Sequence, residues 1–212
     1  MKNNSIHPTE DIQAIRDIME RSSKFLSLSG LSGIFAGICA LAGTAIAWFI
    51  ILDSGQIKYD EFMRGLDGAS TSTVRFYLAL DALLVLAAAV LGAAYFSFRK
   101  AKKSGQKFWT LTSKRMVFHL MIPLVTGGIF TLILAFQNNL TLVASVMLIF
   151  YGLSLVNAGK FTFGEIHYLG LTEIALGIMA GIFTNYGMFF WAAGFGLMHI
   201  IYGTVMFYRH GA

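Results

Sequence analysis

Residues 164–183 read GEIHYLGLTEIALGIMAGIF and residues 188–209 read MFFWAAGFGLMHIIYGTVMFYR, with only TNYG (184–187) between them. At about 1.5 Å per residue, each run is long enough to cross a hydrocarbon core of about 30 Å as a helix. The pair is predicted to be a transmembrane helical hairpin. Each run holds one residue that hydrocarbon tolerates only beside a partner or a cavity, Glu173 in the first and His199 in the second. Glu173 falls about 12 Å along its helix from Glu165, and His199 about 15 Å from Arg209. Antiparallel neighbours therefore bring the two to similar depth. Glu173 shares a face with Gly170, Gly177 and Ala180, and His199 shares one with Gly196 and Gly203. Small residues mark helix contact faces, so the hairpin is predicted to close on itself around this pair.

The rest of the chain has the same character. Apolar residues make up 56% and charged residues 13%, against about a quarter charged in soluble domains. Further apolar runs lie at about Phe25–Leu52, Val74–Phe98, Met116–Phe136 and Leu140–Val156. The expected fold is an all-α integral membrane protein with six transmembrane helices in three hairpins. Residues 25–212 form the six-helix domain. Residues 1–24 form a cytoplasmic segment, in which TEDIQAIRDIMERSS (9–23) sets Ile12, Ile15, Ile18 and Met19 against Arg16, Asp17, Glu20 and Arg21. That pattern predicts a short amphipathic helix lying on the membrane surface. SGIFAGI (32–38) resembles LGIMAGI (176–182), a faint sign of repeated hairpins.

Charge placement sets the orientation. With six spans, thirteen of the sixteen Lys and Arg residues fall on the side that holds both termini, leaving Lys58, Arg64 and Arg75 opposite. Both termini are expected in the cytoplasm (N-in, C-in), with the chain in a bacterial cytoplasmic (inner) membrane. The basic stretch Arg99–Arg115 contains no acid and is expected to meet anionic lipid headgroups. Basic residues that follow topology in this way exclude nucleic acid as the implied partner. Cys39 has no second cysteine with which to pair. Gly33 and Gly37, like Gly177 and Gly181, form small-xxx-small pairs that could serve a homo-oligomer or a larger membrane complex.

Three readings compete for the buried polar residues. Glu173, His199, His119 and Tyr202 could form a site in the cytoplasmic half that binds or moves a proton or small solute. The same His119, His199 and Glu173, with His167 and Glu165 nearby, could ligate a metal or haem, although no HxxxH, HExxH or ExxH spacing supports it. The third reading is a structural subunit in which Glu173 and His199 merely fix helix packing. Asp81 enters the second span from the outer side and is expected to face protein, apart from this cluster. Pro123 is expected to kink the third span at His119. No phosphate loop, GxSxG elbow or CxxC pair is present, so those enzyme classes have no support.

Overall fold

The computed structural model describes Phe25 and residues 27–52, 71–105, 107–137 and 139–211. The amphipathic helix predicted at 9–23 and residues 53–70 of the longest loop lie outside them. The described residues are helical, with no strand among them. Helix α1 (Gly30–Ile46) continues through a π-helical turn, Ala47–Ile51. Then follow α2 (Thr71–Lys103), α3 (Leu111–Phe136), a 3-10 turn (Leu140–Leu142), α4 (Val143–Gly159) and α5 (Gly164–Ile182). A second 3-10 turn, Thr184–Tyr186, leads to a last rod of three pieces: α6 (Gly187–Trp191), a π-helical segment (Ala192–Met198) and α7 (His199–His210).

Among the described residues, five stretches are long and apolar enough to cross a membrane: Gly30–Ile51, Thr73–Lys103, Leu111–Phe136, Leu140–Gly159 and Thr184–His210. This is the make-up of an all-α membrane protein. Helix α5 falls outside the five because Glu165, His167 and Glu173 dilute its apolar run. From Phe76 to Phe96 no residue of α2 is buried, and Phe76, Leu83, Leu84 and Leu91 point outward. In water such a face would be a liability; in lipid it is the solvated surface.

Two helix starts differ from the sequence reading. The first helix starts at Gly30, since Phe25 donates its N–H to Phe161 O (2.7 Å) and its carbonyl accepts from Thr162 Oγ1 (2.7 Å). That ties the entering chain to the α4–α5 loop and uses backbone groups a helix would need. Helix α3 starts at Leu111, five residues before the apolar run, because Thr110 and Ser113 form a reciprocal capping box. It ends at Phe136, where the apolar run ends, with Pro123 inside it.

Two glycine seams hold the bundle. On the first, α1 meets the last rod. A Cβ on Gly33 would lie 3.1 Å from Gly203 Cα, one on Gly37 would lie 2.6 Å from Gly196 O, and one on Gly203 would lie 2.6 Å from Ile34 N. On the second, α4 meets α5: a Cβ on Gly152 would lie 2.6 Å from Gly170 O, and one on Gly177 would lie 2.9 Å from Ile149 N. Ser145 Oγ adds an interhelical bond to Gly177 O, at 2.7 Å. Backbone lies against backbone on both seams, as small residues permit. Sequence reading assigned these faces to the α5–α7 contact, and that is corrected here: Gly170 and Gly177 turn to α4, and Gly196 and Gly203 turn to α1. Gly33, Gly37, Gly177 and Gly181 each lie against another helix of the same chain.

The helix ends gather at two poles. At one, Lys100 is 8% exposed and donates to Leu28 O (3.3 Å), His210 O (3.0 Å) and Gly211 O (3.1 Å). The ammonium thus sits on the terminal carbonyls of α7, where the helix dipole is negative, and lies 5.6 Å from the Phe163 ring centroid. At the other pole, Leu52 and Val74 are buried with Leu78, Leu140 and Met188 packed around them.

Candidate functional site

Tyr151 of α4, Glu173 of α5 and His199 at the start of α7 meet in the interior. Glu173 is 0% exposed and His199 5%. The imidazole Nδ1 lies 3.0 Å from Gly194 O and 3.3 Å from Glu173 Oε1. A carbonyl can only accept, so Nδ1 carries a proton and donates it to Gly194 O. Nε2 lies 2.7 Å from Tyr151 Oη. With a neutral ring, Nε2 accepts from the phenol; with an imidazolium, it donates to the phenol oxygen. The Tyr151, Phe195 and His199 rings stack loosely, with centroids 5.0 to 6.2 Å apart.

Glu173 is the anomaly. Among the described residues neither of its oxygens has a hydrogen-bond partner. Its contact with Nδ1 is within ion-pair distance, but the N–H is aimed at Gly194 O, so the attraction is electrostatic and poorly directed. The other carboxyl oxygen rests against Gly194, where a Cβ would overlap it and also lie 2.6 Å from Leu148 Cδ2. Glycine at 194 is therefore what makes room for the carboxyl. That residue lies in the π-helical segment, and π turns inside α-helices often mark functional sites.

The other candidates scatter. Tyr202 Oη lies 3.2 Å from Thr172 Oγ1, one step along the same α5–α7 seam. His119 is exposed on α3 and stacks on Phe161 (5.1 Å, 14°). His167 packs beside Gly159, whose added Cβ would lie 2.9 Å from it. Glu165 accepts from Arg209 (3.1 Å) and contacts His210 Nε2 (3.2 Å) at the bundle's end. Asp81 faces α1, with a Cβ on Gly43 3.3 Å from its Oδ2. The five residues of the metal or haem reading thus do not converge, and no group of three or more His, Cys, Asp or Glu among the described residues is placed to hold a metal ion.

Tyr151 is the member of this cluster that the sequence reading missed. Membrane tyrosines usually sit in the interfacial belts, whereas Tyr151 lies well inside LIFYGLSL. Its depth was the available signal. No protein-family model, curated protein or solved structure matches the chain.

Proposed function

We propose that the chain is a membrane protein that takes up and releases a proton, alone or with a small solute, at Glu173–His199–Tyr151. One observation carries this reading: a fully buried carboxyl with neither oxygen hydrogen-bonded among the described residues, 3.3 Å from an imidazole whose two nitrogens already have other partners. A pair retained for packing alone would satisfy its oxygens, because an orphaned buried polar group costs about 1–3 kcal/mol. This one is left short, and Gly194 makes room for it.

The chemistry is proton exchange. The pair is neutral either as carboxylic acid with imidazole or as carboxylate with imidazolium. In the second form both ring nitrogens carry a proton, and turning Nδ1–H from Gly194 O to Glu173 Oε1 and transferring it gives the carboxylic acid and a neutral ring protonated at Nε2 alone. That imidazolium is itself made when a neutral ring protonated at Nδ1 takes up a proton at Nε2 from the Tyr151 side. Intramembrane carboxylates and imidazoles commonly serve as such relays. The test uses the purified protein in liposomes with a trapped pH dye and an imposed potential. Wild type should carry proton flux, and Glu173→Gln should slow it roughly tenfold or more. Equal flux with and without the carboxyl would return the pair to a packing role.

The same proposal has six helices crossing the membrane and both termini in the cytoplasm, with α5 as the sixth span. Its support is the clustering of Lys100, Arg209, His210 and Glu165 at one pole, together with the thirteen basic residues assigned to that side. In a Cys39→Ala background, Ser104→Cys should react with an impermeant thiol reagent in inverted vesicles and not in intact cells. Labelling in intact cells would reverse the assignment.

A further inference from the structure

We infer that the π-helical segment Ala192–Met198 is a hinge between two rigid halves of the bundle, and that the Glu173–His199 contact latches it. The inference rests on the proton-exchange reading for its trigger, though not for its geometry.

The halves are defined by their glycine seams. Helices α4 and α5 are one unit, joined backbone to backbone at Gly152, Gly170 and Gly177; α1 and α7 are the other, joined at Gly30, Gly33 and Gly203. Such contacts cannot slide without steric overlap. The last rod belongs to both halves. Its outer piece, α6, packs on α4 and α5, whereas α7 packs chiefly on α1. The π segment joins them and faces each way, with Gly194 against Glu173 and Leu148 and Gly196 against Leu41 of α1. A π turn interrupts the regular hydrogen-bond ladder, and helix bends commonly occur at such interruptions.

Between α5 and α7 the contacts are of another kind: side-chain ends meet side-chain ends. They are Glu165 with Arg209, Thr172 with Tyr202 and Glu173 with His199, in antiparallel register. Met206 fills the space by Leu155, Ile166 and Leu169. Rotamer changes can rearrange such contacts, and a flexible methionine can follow them. Glu173 is faced by His199 from α7, by Tyr151 of α4 through that imidazole, and by Gly194 of the π segment. Glu165 is faced by Arg209 and His210. Moving the proton off the Glu173–His199 pair, or onto it, changes the charge holding the seam at its midpoint. The halves then swing about Ala192–Met198.

The experiment places spin labels on exposed positions in a Cys39→Ala background in nanodiscs. Leu171 with Ile201 spans the seam, Leu153 with Leu171 reports within the first half, and Ile38 with Ile201 reports within the second. Between acid and alkaline buffer the Leu171–Ile201 distance should shift by roughly 2 Å or more, with the other two unchanged and Glu173→Gln abolishing the shift. An invariant cross-seam distance, or equal shifts in all three pairs, overturns the hinge. A shift surviving in Glu173→Gln overturns the latch and points to Glu165–His210. On the unlabelled protein, amides of 192–198 should exchange faster than those of α4 and α5, and equal protection counts against the hinge. Absent proton flux with a moving seam would sink the transport reading alone; flux with a fixed seam would sink the hinge alone.

Discussion

Gly203→Ala should unseat α7 from α1 and destabilise the protein by about 2–3 kcal/mol, lowering its thermal midpoint in detergent by roughly 5–10 °C. The added methyl would lie 2.6 Å from Ile34 N, 2.8 Å from Gly30 O and 3.0 Å from Gly33 C, all of them backbone atoms. No rotamer change relieves such contacts, so the helices must part. Because His199 stands one helical turn before Gly203, its ring moves with α7, and the Tyr151 bond should weaken with the seam. Gly128→Ala is the control. Gly128 is an exposed glycine in α3 whose Cβ would meet nothing within 4 Å. There the change should be neutral or stabilising by about 0.5–1 kcal/mol, the ordinary preference of a helix interior for alanine. Equal effects at the two sites would mean that the α1–α7 seam is looser than its geometry.

The contrast between those glycines also shows what periodicity can and cannot say. Spacing of Gly196 and Gly203 on one face, and of Gly170 and Gly177 on another, was legible in the sequence. The identity of the helix each face meets was not, since a one-dimensional pattern carries no neighbour list. Taking the chain neighbour as the packing neighbour gave the wrong partner for both. Glu173 and His199 were legible as a pair because two polar residues at matched depth in apolar runs have few ways to escape hydrocarbon. Tyr151 was harder, as a phenol carries no charge and an aromatic in a span reads as packing. The π-helical segment left only its two glycines, Gly194 and Gly196, as a trace in GFG. A single extra residue per turn leaves the apolar pattern almost unchanged. In the sequence Lys100 read as one more topological charge in a basic loop; only the fold shows it withdrawn onto three carbonyls.

Glu173→Met should leave the protein as stable as wild type or more so, while His199→Leu should cost on the order of 3–5 kcal/mol. The asymmetry follows from where the hydrogen bonds go. Removing the carboxyl orphans nothing, because Nδ1–H already donates to Gly194 O and Nε2 keeps Tyr151. It also replaces an unsatisfied buried group by an apolar chain of similar length, a change that is often neutral or stabilising. Removing the imidazole leaves the Tyr151 hydroxyl without its partner and Glu173 with no compensating charge. In the Glu173→Met background the same His199→Leu change loses only the Tyr151 bond, so its cost should fall to about 1–3 kcal/mol. The difference between the two costs is the coupling of the pair, within the 0.5–3 kcal/mol seen for residues in direct contact. Thermal or denaturant unfolding of the four proteins in one detergent measures it, with proton flux followed in parallel. A carboxyl kept for chemistry should give a Glu173→Met protein that is stable and inactive. If Glu173→Met is instead strongly destabilised, or the two costs of His199→Leu are equal, the carboxyl contributes to packing in a way its empty hydrogen-bond shell does not reveal, and the proton-exchange reading loses its main support.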